Sequence, residues 1–340
     1  MLETIGFDPR MARAAVAADA EVGRVVRVDR GLAEVLTERG LVRAGYSGEL
    51  LGEVARDPVA AATTGDWVVV RAWPDDKHTL VRVLHRTSVV VRRTAGKQSH
   101  GQVLCANADH VAVVVGLHPE PVIARIERLL SVAWQSGATP LVVLTKADLV
   151  PDAEFVSADV AEAAPGVEVV TTSTRTGASL PRLREIVGAT GTIALLGASG
   201  HGKSSLVNAL AGAEVLGTRT LRADGRGRHT SVRRELVLLP GGGAVIDTPG
   251  LRGIGLPGGQ VGLARTFADV EDLVARCRFD DCSHRVEPGC GVREALGSGT
   301  LPVRRYESWL ELRAEVAAAE RRAAGRVVPA HRKRQARGGA

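Results

Sequence analysis

The chain has 340 residues, of which 45% are hydrophobic and 24% charged, close to the averages of folded globular proteins. This composition excludes global disorder, and the length predicts about two or three domains. The net charge of +6 favours a polyanionic partner such as RNA, although ordinary solvated surfaces also carry an excess of this size.

The amino end lacks the basic, apolar and small-residue order of a secretory signal, and no apolar run approaches the roughly 18 residues of a membrane-spanning helix. We therefore expect a cytoplasmic protein without a membrane interaction. Four cysteines in a reducing compartment argue for metal or thiol roles. Cys105 stands alone after two apolar residues, which predicts a buried, inert side chain.

Short β-type runs separated by turn signals fill the region from about residue 21 to residue 91. The runs are Val22 to Val28, Leu32 to Leu36, Trp67 to Ala72 and Leu80 to Leu84. The tripeptide Asp29-Arg30-Gly31 predicts a hairpin between the first two. Without a convincing helix between them, the runs predict a small closed barrel, either of the oligonucleotide-binding type or purely structural.

Continuous apolar runs then alternate with helical stretches. They are His110 to Leu117, Pro140 to Leu144, Val167 to Val170, Thr192 to Leu196 and Ala244 to Ile246. Runs that are apolar on both faces are typical of buried parallel strands, so this region predicts a doubly wound α/β domain. Its ligand should lie at the carboxyl ends of the strands.

A phosphate-binding loop follows the fourth of these runs and precedes a helix. It reads Gly197, Ala198, Ser199, Gly200, His201, Gly202, Lys203, Ser204 and Ser205. The glycines let backbone N–H groups wrap the phosphates at the helix amino terminus. Lys203 is expected to reach the β- and γ-phosphates, and the Ser204 hydroxyl to ligate magnesium. An ordinary glycine-rich turn is the alternative.

A second phosphate-side motif follows the fifth run. Asp247 is placed to act through a magnesium-bound water, and the N–H of Gly250 to sense a γ-phosphate. Asp and Gly are also common in surface turns. The position at a strand end after the phosphate loop favours the functional interpretation.

The choice of nucleotide depends on the sequence Thr145, Lys146, Ala147 and Asp148. A fixed carboxylate at Asp148 can accept hydrogen bonds from N1–H and the 2-amino group of guanine, whereas adenine offers no such pair of donors. Lys146 would lie along the base. Ser173, after the next strand, would lie where a backbone N–H meets guanine O6. These base-reading residues precede the phosphate loop, so the domain is predicted to be circularly permuted.

Hydrolysis requires a group that positions water. The residue after the second phosphate-side motif is Leu251, which can neither donate nor accept a hydrogen bond. His229 is the best candidate, because a neutral imidazole can orient or deprotonate water. Either Thr230 or Ser231 would close over magnesium, and the sequence does not choose between them.

Three cysteines and a histidine crowd together near the carboxyl end. Cys277, Cys282, His284 and Cys290 supply nitrogen and sulfur ligands at a spacing that suits one closed tetrahedral zinc site. A helix is predicted to begin near residue 301. Its packed face has Trp309, Leu312, Val316 and Ala319 at helical spacing.

Several of these motifs, in this order, resemble the bacterial small-subunit-dependent GTPases of the RsgA or YjeQ type over roughly residues 20 to 325. They are Gly65-Asp66-Trp67, TKAD, GASGHGKSSLVNAL, GRGRHTS, DTPGLR, CRFDDCSH and EPGC. The resemblance implies zinc at the four ligands and binding to the small ribosomal subunit late in its maturation, with ribosomal RNA stimulating hydrolysis. His201 departs from the family, where an apolar residue is usual.

The expected fold is multidomain: an N-terminal OB-type β-barrel, a circularly permuted P-loop α/β GTPase domain, and a C-terminal zinc-binding α-helical module. The predicted boundaries are 1–20 for an extension, 21–100 for the barrel, 101–257 for the GTPase domain, 258–324 for the zinc module and 325–340 for a basic tail. We expect a monomer that binds GTP and GDP with magnesium. The alternatives are a P-loop ATPase or kinase, a nonenzymatic RNA-binding scaffold, and a related permuted GTPase acting on the large subunit.

Overall fold

The computed structural model describes residues 1–16, 20–29, 31–93, 101–217, 234–248 and 259–324. The strands are β1 (Glu21–Asp29), β2 (Leu32–Thr37), β3 (Gly40–Tyr46), β4 (Trp67–Ala72), β5 (His78–Val83), β6 (Val89–Arg93), β7 (Gly101–Ala106), β8 (His110–Gly116), β9 (Thr139–Thr145), β10 (Glu168–Thr171), β11 (Thr192–Leu196), β12 (Glu235–Leu238) and β13 (Ala244–Asp247). The helices are α1 (Ala12–Val16), α2 (Gly48–Arg56), α3 (Ile123–Gln135), α4 (Ala153–Ala163), α5 (Leu180–Val187), α6 (Lys203–Ala211), α7 (Gln260–Thr266), α8 (Ala268–Val274), α9 (Gly291–Ser298) and α10 (Val303–Ala324).

The first five strands close into a barrel in the order β1-β2-β3-β5-β4, which confirms the predicted barrel and its four expected strands. The predicted hairpin is confirmed by the antiparallel pairing of β1 with β2, in which Asp29 lies opposite Leu32. The expectation of no helix was wrong, because α2 follows β3. The side chain of Ser47 caps this helix by accepting a hydrogen bond from the N–H of Leu50, the one buried residue of the helix. So little buried surface leaves a weak apolar pattern in the sequence.

The nucleotide domain is a six-stranded sheet in the order β10-β9-β8-β11-β13-β12. The five predicted strands are all present and pair in parallel, as expected. Strand β12 was not predicted and pairs antiparallel with β13 at the edge. Apolar side chains pack on both faces of the sheet and form two separate clusters. The carboxyl ends of β8, β9, β11 and β13 therefore meet at one edge.

The sequence Gly65-Asp66-Trp67 packs the barrel closely against β7. Gly65 has a φ of +92°, and a Cβ atom there would overlap the carbonyl oxygen of Ala106 at the end of β7. Asp66 is fully buried and accepts two hydrogen bonds of 2.8 Å from Arg86. The tripeptide thus permits a close approach of two backbones, which explains why glycine stands there.

The first residues of the chain bridge the barrel and the nucleotide domain. Leu2 and Ile5 are buried in the main apolar cluster. The Gly243 N–H, beside β13, donates to the Thr4 carbonyl oxygen at 2.7 Å. The buried guanidinium of Arg24 in β1 donates to the Ile5 carbonyl oxygen. This segment therefore packs against both neighbouring structures.

Residues 259–324, the C-terminal module, are helical and rest on α3. The four residues predicted for the packed face of α10 are all buried, as expected. Helices α7, α8 and α9 were not predicted, since each is short and the sequence around them is rich in Gly, Cys and Arg. Arg305 and Glu127 form a buried ion pair of 2.8 Å across the contact, and Arg305 also bonds Asp269 at 2.7 Å. Over the described residues, no helix is both long and apolar enough to cross a membrane.

Candidate functional site

The phosphate-binding loop turns sharply between β11 and α6. A Cβ atom at Gly197 would overlap the carbonyl oxygen of Val114 in β8, so only glycine allows this approach. Gly200 and Gly202 have φ values of +86° and +82°, which glycine adopts without strain. Ala198 is buried, whereas the loop is exposed at Ser199 and Gly200. The predicted strand, loop and helix context is therefore present.

Lys203, Ser204 and Asp247 converge at the base of this loop. The Nζ of Lys203 donates to the carbonyl oxygens of Gly197 and Ala198, each at 2.9 Å, and the side chain is only 7% exposed. Burial lowers the pKa of Lys203, and the nearby Asp247 opposes that shift. The Ser204 hydroxyl donates to Oδ2 of Asp247 at 3.3 Å. The structure thus brings together the three predicted phosphate-side residues.

Asp247 has an unusual environment for a carboxylate. Burial raises its pKa, while Lys203 lowers it. Its Oδ1 atom is buried and has no hydrogen-bond partner among the described residues. A buried acceptor without a partner costs free energy, so this atom is suited to a ligand that brings a donor.

The residues that are predicted to read guanine lie at the ends of β9 and β10. The hydroxyl of Ser173 donates to Oδ1 of Asp148 at 2.6 Å and accepts from the backbone N–H groups of Arg175 and Thr176 at 3.2 and 3.3 Å. Ser173 is buried, while Asp148 is exposed. The serine therefore orients the carboxylate that is predicted to bind the base. This contact between the two side chains was not predicted from the sequence.

The two halves of the site are joined through Thr145 and Lys146. The Thr145 hydroxyl donates to the carbonyl oxygen of His201 at 2.8 Å, which ties the phosphate loop to the end of β9. Lys146 has a φ of +62°, and its Nζ donates to the His118 carbonyl oxygen at 3.1 Å. The Ala147 N–H donates to the Thr172 carbonyl oxygen at 3.3 Å, which fixes the loop against β10. Ser205, in the first turn of α6, is half-buried.

Several predicted residues lie outside the described part of the chain. They are His229, Thr230, Ser231, Gly250 and Leu251. Their roles stay predictions.

The predicted metal ligands form one cluster in the C-terminal module. The ligand atoms of Cys277, Cys282, His284 and Cys290 all lie within 4.8 Å of one another. The Cys277 and Cys290 sulfurs are 3.8 Å apart, and they lie 3.5 and 3.6 Å from Nδ1 of His284. Tetrahedral ligation at about 2.3 Å to sulfur and about 2.0 Å to nitrogen separates two sulfurs by about 3.8 Å and sulfur from nitrogen by about 3.5 Å. The cluster therefore has the dimensions of a site that can hold a metal ion.

Two further side chains shape the metal cluster. The His284 ring makes an edge-to-face contact with the buried Trp309 of α10, with ring centroids 5.7 Å apart. Glu287 accepts hydrogen bonds from the Ser283 hydroxyl and from three backbone N–H groups, and these donors lower its pKa. The role of Glu287 was not predicted. The only hint in the sequence is that an acidic residue lies between two of the predicted ligands, His284 and Cys290. Cys105 is fully buried away from the cluster, and burial raises its pKa to about 12, which confirms the prediction of an inert thiol.

The motif order on this sheet, with the base-reading motif before the phosphate loop, defines a circularly permuted P-loop GTPase. The RsgA GTPase family model matches residues 83–257. The small ribosomal subunit biogenesis GTPase RsgA of Streptomyces avermitilis is 48% identical over 294 residues, which span 85% of this chain and 78% of that protein. The chain belongs to the RsgA GTPase family.

Another relative and two solved structures agree with this placement. The protein of the same name from Streptomyces coelicolor is 45% identical over 348 residues, covering 99% of this chain and 93% of the relative. The crystal structure of YjeQ from Thermotoga maritima has a TM-score of 0.63 at 25% identity, covering 87% of this chain and 98% of that one. YloQ, a circularly permuted GTPase, has a TM-score of 0.56 at 22% identity, with 88% and 96% of the two chains covered, and supports the fold.

Proposed function

We propose that this protein hydrolyses GTP and acts as a nucleotide-dependent switch in late maturation of the small ribosomal subunit, with the subunit and its ribosomal RNA stimulating hydrolysis. The observation that carries the proposal is the convergence of the phosphate-side and guanine-side residues at one sheet edge, joined by the 2.8 Å bond from Thr145 to the His201 carbonyl. The names of the relatives, small ribosomal subunit biogenesis GTPases, support the partner.

Guanine recognition rests on Asp148 and Ser173. The exposed carboxylate would accept from N1–H and the 2-amino group of the base, and the serine hydroxyl holds it in place at 2.6 Å. Lys146 would lie along the base, and the Ser173 N–H would meet O6. Adenine leaves the carboxylate without donors, which argues against the ATPase alternative.

Phosphate binding rests on the loop from Gly197 to Ser205. Its backbone N–H groups and the amino end of α6 would meet the phosphates, and Lys203 would exchange its present carbonyl partners for phosphate oxygens. The Ser204 hydroxyl and the partnerless Oδ1 of Asp247 fit a magnesium ion, with Ser204 as direct ligand and Asp247 acting through a bound water. Magnesium, when bound, neutralises charge that develops on the phosphates.

Water activation is assigned to His229. Leu251 cannot orient water, so the intrinsic rate is expected to be low, and the imidazole would position the attacking water. Thr230 or Ser231 would close over magnesium, and Gly250 would sense the γ-phosphate. The His229→Ala variant should retain GTP affinity and lose subunit-stimulated turnover, whereas His85→Ala, at an exposed position after the barrel, should retain both. Full stimulated turnover in His229→Ala would remove this assignment.

The metal is proposed to be one structural zinc ion held by Cys277, Cys282, His284 and Cys290. Two of the sulfurs and the nitrogen lie at tetrahedral separations, and the third sulfur, that of Cys282, lies within 4.8 Å of them. Three sulfurs and one nitrogen suit zinc, and four protein ligands would leave no open position for catalysis. Binding would stabilise the segment from Cys277 to Cys290, which has no regular helix or strand of its own.

We also propose the domain boundaries 1–20, 21–100, 101–257, 258–324 and 325–340, a cytoplasmic location, and a monomeric state. Ribosomal RNA contact is supported by the basic charge and by the barrel. The barrel carries an exposed indole, Trp73, with the guanidinium of Arg71 5.9 Å from its ring. Such a pair offers a flat surface and positive charge to a nucleic acid.

Cosedimentation with purified small ribosomal subunits tests the switch. The protein should pellet with subunits in a nonhydrolysable GTP analogue and much less in GDP, because only the first nucleotide supplies the γ-phosphate that the switch residues would sense. Equal pelleting in both nucleotides would contradict a switch, and pelleting with large subunits instead would favour the large-subunit alternative.

A further inference from the structure

The side chain of His201, in the phosphate-binding loop, contacts the neighbouring strand β8. Its Nδ1 atom accepts a hydrogen bond from the backbone N–H of Gly116, the last residue of β8, at 3.3 Å. The ring is half-buried. A histidine at this place therefore has a defined contact that an apolar residue cannot make.

The position of Gly116 in the sheet explains why this contact forms. Strand β8 pairs with β11 as far as the pair Val113 and Leu196, after which β11 turns into the phosphate loop. The next N–H along, that of Leu117, donates toward β9, to Thr145 at 2.9 Å. Because successive N–H groups of a strand point to opposite sides, the N–H of Gly116 points to the side that β11 has left. Gly116 is buried, so its N–H requires an acceptor, and the His201 ring supplies it.

His201 is thus held at two points. Its ring bonds β8 through Gly116, and its carbonyl oxygen accepts the hydroxyl of Thr145 at the end of β9. Both strands end at the edge of the sheet where the nucleotide is proposed to bind, and Thr145 is the first residue of the motif that is proposed to read guanine. The residue therefore fixes the loop relative to both neighbouring strands.

We propose that His201 is a positioning residue, which holds the phosphate-binding loop in its nucleotide-binding conformation through the hydrogen bond from Gly116. The inference rests on the proposed function, since it concerns the affinity of the same site for GDP and GTP. Affinity then depends on an uncharged acceptor at this position, because a loop that spends only a fraction of its time in the binding conformation has its affinity reduced to that fraction.

The charge state of the ring follows from its surroundings. Only the neutral imidazole has a free acceptor at Nδ1. Burial lowers the pKa of His201, and so do the positive charges of Arg125 on α3, Lys203 on α6 and Lys146 after β9, while a hydrogen bond to the Val114 backbone opposes the shift. The neutral form is therefore favoured near neutral pH, and acidification removes the acceptor.

Two substitutions separate the hydrogen bond from packing. His201→Leu keeps a side chain of similar size without an acceptor, and His201→Asn places a non-titrating carbonyl oxygen near the position of Nδ1. The readouts are the Kd of a fluorescent GDP analogue at about pH 7.5 and at the lowest pH at which the protein stays folded, the melting temperature, and KM against kcat for GTP. His85→Leu controls for the loss of an unrelated histidine.

At the higher pH the Leu variant should bind GDP about tenfold more weakly, which corresponds to about 1.4 kcal/mol. The Asn variant should bind within about twofold of the unaltered protein, since its carbonyl restores the acceptor. The effect should fall on KM more than on kcat, because the hydrogen bond that is removed joins the loop to β8. At the lower pH the GDP affinity of the unaltered protein should fall more than that of the Asn variant. Titration of the nucleotide affects both proteins equally, so it cancels in this comparison.

Two results would overturn the inference on its own. One is a Leu variant that binds GDP as tightly as the unaltered protein, and the other is an identical pH profile for the Asn variant and the unaltered protein. The second comparison remains decisive if the Leu variant fails to fold. Absence of GDP binding by the unaltered protein would instead overturn the proposed function, and this inference with it.

Discussion

The hydrogen bond from Ser173 to Asp148 allows guanine recognition to be weakened without touching the base-reading carboxylate itself. The Ser173→Ala variant removes a hydroxyl that donates to Asp148 at 2.6 Å. It also removes the acceptor of two backbone N–H groups in the same loop. The carboxylate remains but loses the group that orients it.

The size of the effect follows from the environment of the two residues. A hydrogen bond to a charged group contributes about 1.5–3 kcal/mol. Asp148 is exposed, so water partly replaces the lost donor and the lower end of that range applies. A loss of about 1.5 kcal/mol corresponds to roughly tenfold weaker GDP binding.

The assay is a titration with fluorescent GDP, followed by competition with unlabelled GDP and ATP. Ser88→Ala is the matched control, because Ser88 is also buried and its hydroxyl also makes a 2.6 Å bond, to the Ala108 carbonyl oxygen away from the base site. The control should bind GDP normally, while Ser173→Ala should lose affinity for GDP and gain none for ATP. Unchanged GDP affinity in Ser173→Ala would refute the positioning of the carboxylate by this serine.

Three further predictions concern stability and metal. Gly65→Ala should lower the free energy of unfolding by about 3 kcal/mol or more, because it adds backbone strain and an overlap with a β7 carbonyl oxygen. Gly31→Ala, at a φ of +84° in open space, adds the strain alone. Equal losses of stability for the two variants in urea unfolding would contradict the overlap. Arg305→Met should cost about 2 kcal/mol or more, because it removes the buried partner of Glu127 and leaves that carboxylate only the half-exposed Arg304 and the Ser308 hydroxyl among its described partners. Arg128→Met, with more exposed partners, should cost about 1 kcal/mol or less, and similar unfolding curves for the two variants would argue against the buried pair. Elemental analysis should find one zinc ion per chain, and less in Cys290→Ser. Chelation should reduce the helical circular dichroism signal, and a metal-free protein with an unchanged signal would exclude a structural metal.

The features that the sequence predicts well are those written in contiguous residues. The phosphate loop needs glycine at fixed positions in its motif. In the structure, Gly197 allows a close approach to β8, and Gly200 and Gly202 have positive φ values. The four metal ligands are near neighbours in the chain, so their spacing alone predicts one cluster. The parallel strands are long apolar runs, and each of the five was found.

The features that escaped prediction depend on partners far apart in the chain. The buried pair of Arg305 with Glu127 joins α10 to α3, and nothing in either segment alone marks the other as its partner. The bond from Gly116 to His201 exists because β11 ends early, which is a property of the assembled sheet. Short elements with little buried surface, such as α2, lack the periodicity that marks longer ones.

Phosphate release from GTP and from ATP by the purified protein, measured with and without small ribosomal subunits, tests both guanine recognition and the proposed switch. We expect slow GTP turnover that rises strongly with small subunits, and no turnover of ATP under either condition. GTP turnover that is indifferent to small subunits would contradict the proposed switch, and hydrolysis of ATP at a comparable rate would contradict guanine recognition by Asp148.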